Sequence, residues 1–264
     1  MTRVLSGAIL GFFAVAIVWF APPMAFLVVG ELLLLLAFLE YLTLARTTGL
    51  PVPAVPACLA AMLTCAALAP ALQVPLDVVL ISAFVALGAL TLTVWSDGQR
   101  GPNALGLAAA SVFPSLYLGL PLGAMIAVRE ARGRGVLLLL MLTVVVSDTA
   151  QYYSGRAFGR RPLAPAISPK KTVEGAIGGL VFGALTLIVA GGWWLPAVPP
   201  VLRAALGVMV VALGIAGDLF ESMLKRSAGM KDSSTLIPGH GGVLDRIDAL
   251  LFAAPVYYVV LKYV

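Results

Sequence analysis

Charge is what this chain has least of. Asp, Glu, Lys and Arg make up 11% of its 264 residues and hydrophobic residues 61%, against about 25% and 45–50% in soluble domains. That balance excludes a water-soluble globule. Cysteine is almost missing too: Cys58 and Cys65 stand seven apart on one predicted helix, about 10.5 Å along its axis, too far to bridge. Neither a disulfide scaffold nor a zinc framework fits. There is no basic arm and no aromatic–basic alternation, so no nucleic-acid partner is expected. No segment between the apolar runs has room for a soluble domain, and no repeat period is present.

What is present is one apolar run after another. The runs 5–20, 24–45, 54–72, 75–95, 104–128, 135–154, 173–195, 202–224 and 247–264 each have the roughly 17–25 residues a spanning helix needs. The sequence therefore predicts an all-α, polytopic integral membrane protein with about nine transmembrane helices. The first run reads as a helix rather than a signal-peptide core, because Ala21-Pro22-Pro23 makes a poor cleavage site. In the second, Glu31 and Glu40 are the only acids. Pro114 and Pro121 are expected to bend the fifth. Trp193, Trp194, Tyr257, Tyr258 and Tyr263 suit interfacial belts.

Net charge is +5, which suits anionic lipid head groups. The basic loops 155–171 and 225–245 fall on one side of the bilayer, expected to be cytoplasmic by the positive-inside rule. Arg129, Arg132 and Arg134 fall on the opposite side, against that rule, so either that loop is tolerated or the helix count differs by one.

The polar residues gather in two places. In Gly217–Leu250 stand the only His, His240, and four of the Asp residues. Asp218, Glu221, Ser222 and Lys225 occupy i, i+3, i+4 and i+7, one face of a helix, and Asp245 and Asp248 share a face at the start of the next run. A Gly/Pro/Ser loop between them permits tight turns and close backbone approach. Carboxylates at the edge of hydrocarbon cost about 2.5–3.5 kcal/mol and usually mark function. Oxygen ligands suit a hard cation such as Mg²⁺, Lys and Arg suit phosphates, and Gly-rich backbone can form an anion nest. Together they point to phosphoryl or nucleotidyl chemistry at a membrane surface.

The second concentration is Ser147–Gly179. Asp148, Tyr152 and Arg156 stack along one helical face. Ser168-Pro169-Lys170-Lys171-Thr172 with Glu174 reads as a helix start beside two lysines, a natural phosphate site. Gly175, Gly178 and Gly179 allow close helix approach.

Ser222-x-x-Lys225-Arg226, Lys231-Asp232, Pro238-Gly239-His240-Gly241-Gly242 and Asp245-Arg246-x-Asp248 together resemble the signature of the phosphatidate cytidylyltransferases, or CDP-diacylglycerol synthases. The segment from Asp148 resembles the same family, whose helix end Asp-Thr-Gly-Ala-Tyr-Phe and helix start Ser-Pro-x-Lys-Thr-x-Glu-Gly it follows. Ala150 and Gln151 here replace Gly-Ala, and Val173 stands where Trp is frequent. The resemblance covers about 144–251; the first hundred residues match only in being apolar spans.

The resemblance implies condensation of CTP with phosphatidate to CDP-diacylglycerol and pyrophosphate at the bacterial-type cytoplasmic membrane, with the active site facing the cytoplasm. It implies residues 1–103 as a variable set of membrane helices and 104–264 as the catalytic membrane domain, assembled as a homodimer. Asp218 and Asp245 are then expected to hold Mg²⁺, with Asp148 and Asp248 close by and a second ion compatible with the same acids. Lys171, Lys225, Arg226, Lys231 and Arg246 are expected on the triphosphate and the lipid phosphate. Ser168, Thr172 and Ser222 are candidate hydroxyl contacts, and Gly239, Gly241 and Gly242 let the loop wrap the nucleotide. His240 is either a hydrogen-bonding loop residue or a contact to phosphate or cytidine. Two alternatives use similar ingredients: an ion-coupled membrane transporter, and a lipid kinase or cytidylyltransferase with another lipid acceptor. The one-sided crowding of charge and the lack of a matching half speak against the transporter.

Overall fold

The computed structural model describes residues 2–96, 103–234, 236 and 241–264. Ten α-helices occupy most of that length: α1 (Thr2–Phe20), α2 (Pro23–Thr47), α3 (Ala54–Ala67), α4 (Leu76–Ser96), α5 (Ala104–Pro114), α6 (Leu120–Arg132), α7 (Arg134–Phe158), α8 (Val173–Trp194), α9 (Pro200–Ser227) and α10 (Leu244–Tyr263). Six helical stretches are long and apolar enough to cross a bilayer: Pro23–Thr47, Leu76–Thr93, Ala104–Arg132, Arg134–Phe158, Val173–Trp194 and Pro200–Ser227. Large apolar side chains face outward along them, as on α4, where Ile81, Phe84, Val85 and Leu92 are all exposed. Water would not tolerate so continuous an apolar surface, and lipid would. The chain is an all-α polytopic membrane protein.

The expected count of about nine spans exceeds those six. The apolar helices Ile9–Phe20 and Ala54–Ala67 are short; α3, with 14 residues, rises only about 21 Å. α10 carries Asp245, Arg246, Asp248 and Lys262.

Proline shapes the fifth run as expected, though by a change of pitch. Between Pro114 and Pro121 lies one π-helical turn, Ser115–Gly119, in which the Leu120 N–H donates to the Ser115 carbonyl. Pro121 has no N–H to continue the α-helical ladder, and a widened turn is a common way to absorb that loss. α3 packs against this turn. The phenylalanine and tyrosine rings around it form a cluster centred on the buried Tyr117: Phe113 stacks on Tyr117 at 4.8 Å, Tyr117 meets Phe220 of α9 at 5.5 Å, and Phe220 meets Phe252 of α10 at 5.2 Å.

Helices α7, α8, α9 and α10 pack in succession. α8 can lie against α7 because its facing positions are glycine. A Cβ on Gly179 would come within 2.5 Å of the Gln151 side chain, and one on Gly178 would overlap Ser154.

One expectation is corrected between α7 and α8. Ser168–Thr172 is not a helix start but a strand, β2, paired antiparallel with β1 (Pro162–Ala164) in the register Pro162–Thr172 and Ala164–Ser168, with a bulge between. The helix begins at Val173, where the Thr172 hydroxyl accepts from the Gly175 N–H at 3.1 Å. Thr172 is extended, at φ −120° and ψ 154°, as an N-cap should be. The cap thus sits four residues later than Ser168-Pro169 suggested. Glu174 reaches back to accept from the Arg160 and Arg161 N–H groups and closes the β1–β2 hairpin onto α8.

Candidate active site

A cleft of about 700 Å³ opens where α7, β2, α9 and α10 meet. Glycine brings the last two together: a Cβ on Gly217 would lie 2.5 Å from the Asp248 carbonyl oxygen. The backbones therefore touch at that level, and Asp218 is set beside Asp248. α7 contributes Asp148, Gln151, Tyr152 and Arg156, β2 contributes Lys170 and Lys171, α9 Asp218 and Lys225, and α10 Asp245, Arg246 and Asp248, with Asp232 from the preceding loop. Five aspartates and five basic residues line it, so the cleft holds both signs of charge in equal number.

The charges of opposite sign are set against one another. Asp148, Asp218 and Asp248, one from each of three helices, stand within electrostatic range of one another, and Lys171 and Arg246 lie within range of Asp148. Lys171 Nζ pairs with Asp218 Oδ2 at 2.5 Å. One turn on, the Ser222 hydroxyl donates to Asp218 Oδ1 at 3.5 Å, so the predicted face of α9 exists. Deeper in, Lys225 Nζ bridges Glu221 Oε2 and Asp245 Oδ1, each at 2.5 Å, and Glu221 has no exposed surface at all.

Asp245 is the most heavily bonded acid lining the cleft. Besides Lys225, it accepts at Oδ2 from the Ser233 N–H (3.0 Å), the Ser233 hydroxyl (2.8 Å) and the Gly242 N–H (2.8 Å). Burial pushes its carboxyl upward, but Lys225 and these donors outweigh burial and hold it at about 2. Asp148 and Asp248 are engaged more lightly, by the Gln151 amide at 3.1 Å and by the Ala249 N–H at 2.7 Å.

Of the sequence-predicted site residues, Asp148, Lys171, Thr172, Asp218, Lys225, Asp245, Arg246 and Asp248 line this one cleft. Gly241, at φ +76°, and Gly242 fold the loop onto Asp245. Four others do not line it. Ser168 sits at the start of β2, paired with Ala164; Ser222 stands behind Asp218; Lys231 is exposed on the loop. Arg226 donates to the Ile167 and Met230 carbonyls and so ties the β1–β2 hairpin to the end of α9. Gly239 and His240 lie outside the described residues.

Two buried acids escaped the sequence reading as functional residues. Glu221 was placed on the polar face of α9 without a role. Glu40, on α2, accepts four hydrogen bonds from the loop and helix that carry Asp245. Its signal was available: a carboxylate in a leucine-rich helix is costly unless it is used.

The sequence profile of the Cytidylyltransferase family matches residues 1–264. The chain belongs to the cytidylyltransferase family. The match runs beyond 144–251, where the recognisable motifs stand, and takes in the N-terminal helices. Among similar proteins, one named phosphatidate cytidylyltransferase from Pseudomonas aeruginosa is 51% identical over 124 residues, 47% of this chain and 46% of its own. One of the same name from Aquifex aeolicus is 42% identical over 125 residues, 47% and 46% of the two chains, and one from Mycobacterium bovis is 39% identical over 169 residues, 63% and 55%. The aligned region spans about half the length of these curated relatives.

The donor set of the cleft fits a hard divalent ion. Its acceptors are oxygens, most of them from carboxylates, and neither sulfur nor imidazole is among the described lining residues. Among the described residues no three acids are already drawn into a ready-made coordination shell; Asp218 is held by Lys171 instead.

Proposed function

We propose that this chain is a CTP:phosphatidate nucleotidyltransferase. The observation that carries the reading is the single cleft in which Asp148, Asp218 and Asp248 converge from three helices beside Lys171 and Arg246. The printed names of the relatives point the same way.

The phosphomonoester oxygen of phosphatidate attacks the α-phosphorus of CTP. A P–O bond forms to the lipid phosphate, the bond to the β-phosphate bridging oxygen breaks, and pyrophosphate departs with that electron pair. The nucleophile is already anionic, so no strong general base is needed. Repulsion between two polyanions is the obstacle, and catalysis is mainly positioning and charge neutralisation.

Lys171 and Arg246 are placed to take phosphate oxygens, and Arg156 and Lys170 extend the positive side of the cleft. Asp218, Asp248 and Asp148 would hold Mg²⁺, which when bound neutralises phosphate charge and offsets the repulsion among these acids. Asp245, whose oxygens are occupied by Lys225, Ser233 and Gly242, holds the loop and keeps Lys225 in place; it is the reserve ligand should a second ion enter.

We also read α1, α3 and α10 as the crossings that complete nine. The cleft faces the cytoplasm, because Arg156, Arg160, Arg161, Lys170, Lys171, Lys225 and Arg226 lie at its end of the helices. The active unit is a homodimer, to be checked by light scattering in detergent.

The test is incubation of the purified protein in detergent with phosphatidate and CTP labelled in the cytidine ring, with and without Mg²⁺. Lipid-extractable label and equimolar pyrophosphate are expected only with both substrates and the metal. Pyrophosphate without labelled lipid, or neither product, would overturn the reading; label on a different lipid acceptor would leave the chemistry and change the substrate.

A further inference from the structure

Glu40 belongs to α2, far in sequence from the acids of the cleft, and is 6% exposed. Its Oε1 accepts from the Ser234 hydroxyl at 2.7 Å and the Val243 N–H at 2.9 Å. Its Oε2 accepts from the Ser233 hydroxyl and the Leu244 N–H, both at 2.8 Å. Four donors on two oxygens fill the hydrogen-bonding capacity of a carboxylate. No Lys or Arg pairs with it among the described residues; the N–H groups at the start of α10 balance its charge, as a helix N-terminus can.

The bonds run on into the cleft. Ser233 Oγ lies 2.8 Å from both Glu40 Oε2 and Asp245 Oδ2. One hydroxyl has one proton, so the two carboxylates share a single bridging donor. The Ser233 N–H is given wholly to Asp245, and Asp245 in turn grips Lys225. A continuous polar chain therefore leads from α2 through Ser233 to Asp245 and Lys225. Gly242 is held in the same knot, since a Cβ there would overlap both Ser233 Oγ and Glu40 Oε2.

We infer that Glu40 is a positioning residue for nucleotidyl transfer: it fastens Ser233, Ser234 and the Val243–Leu244 start of α10 to α2 and so fixes the placement of Asp245 and Lys225 in the cleft. The inference rests on the reading of that cleft as a CTP site. Glu40 touches no substrate in this scheme. Its carboxylate is needed as an acceptor for backbone N–H groups, which cannot rotate away from an amide as a hydroxyl can.

The experiment uses the full chain in detergent with two variants. Glu40→Gln keeps the volume but turns an amide NH₂ toward one backbone donor, and Ser233→Ala removes the bridge. Hydrogen exchange over the peptide covering Val243–Asp245 is expected to rise at least tenfold in Glu40→Gln, with α8 unchanged. In the activity assay the CTP and Mg²⁺ concentrations for half-maximal rate are expected to rise at least fivefold, and the double variant to be no worse than the weaker single. A residue that merely supports the fold would lower the maximal rate and leave half-saturation alone. Unchanged exchange, or a lowered rate with unmoved half-saturation, would overturn the inference. Loosened exchange in a protein whose wild type makes no cytidylylated lipid would show the clamp to be real, but would overturn both the proposed reaction and Glu40's part in it.

Discussion

Lys225 offers the sharpest test of how the cleft is held together. Its Nζ stands 2.5 Å from a carboxylate oxygen of Glu221 and 2.5 Å from one of Asp245, and Glu221 is wholly buried. Lys225→Met keeps the aliphatic length and removes the charge. Asp245 would still have three donors, but Glu221 would lose the cation that compensates it. Breaking a buried pair from one side costs about 3–5 kcal/mol, whereas replacing both partners with apolar groups is often neutral. With about 2–4 °C per kcal/mol for a chain of this size, Lys225→Met should lower the thermal midpoint in detergent by roughly 6–20 °C. The double variant Lys225→Met/Glu221→Leu should recover most of that loss while remaining inactive. The assay is temperature-ramped retention of the monodisperse peak, with wild type, both singles and the double in parallel. A single variant as stable as wild type, or a double no better than the single, would refute the idea that Lys225 is held by Glu221 as a structural ion pair.

The other expectations concern the chemistry more directly. Asp218→Asn and Asp248→Asn should each cut turnover by more than a hundredfold while the proteins insert and purify normally; near-wild-type product from either would dissolve the metal assignment. EDTA should stop product formation, and Mg²⁺ in excess should restore it, as followed by labelled-lipid extraction. Lys171→Gln should raise the CTP concentration for half-maximal rate by at least tenfold, since it removes both a phosphate ligand and the partner of Asp218; an unchanged value would demote Lys171 to a loop charge. Gly242→Ala should fail in activity more than in yield, because the added methyl meets Ser233 and Glu40 at the loop.

Much of the site could be read from spacing alone. Asp218, Ser222 and Lys225 were legible because helical periodicity is local, and the ion pair and hydrogen bond on that face follow from positions four apart. The convergence of Asp148 with Asp218 and Asp248 rests on resemblance, since no local rule joins α7 to α9 and α10. Glu40 stands out as a carboxylate in a leucine-rich helix, but its partners were out of reach for the same reason: they lie 193 to 204 residues away. Ser168–Thr172 misled in the opposite way. Ser-Pro is a sound helix-entry signal, but Thr172-x-x-Gly175 offered a competing cap, and the hairpin to Pro162–Ala164 kept the preceding residues extended.

The arginines that defied the positive-inside rule have other employment. Arg129 is buried, donates to the Val18 and Ala21 carbonyls and lies 4.4 Å over the Phe26 ring; Arg134 donates to the Trp19 carbonyl, and Arg132 to that of Leu261. Each acceptor lies at the carbonyl end of a helix, where positive charge is favoured. The Arg129 guanidinium is therefore spoken for by the fold, while Arg132 and Arg134 tie helix ends together from exposed positions. The order of synthesis matters here: when the ribosome has made residue 134, Val18, Trp19 and Ala21 already exist, but Leu261 does not. Arg129 and Arg134 can settle at once on α1, while Arg132 must wait for the last helix to arrive. The last turn of α10 thus completes a contact opened midway through translation, and a protein truncated before Leu261 would leave that arginine without its mate.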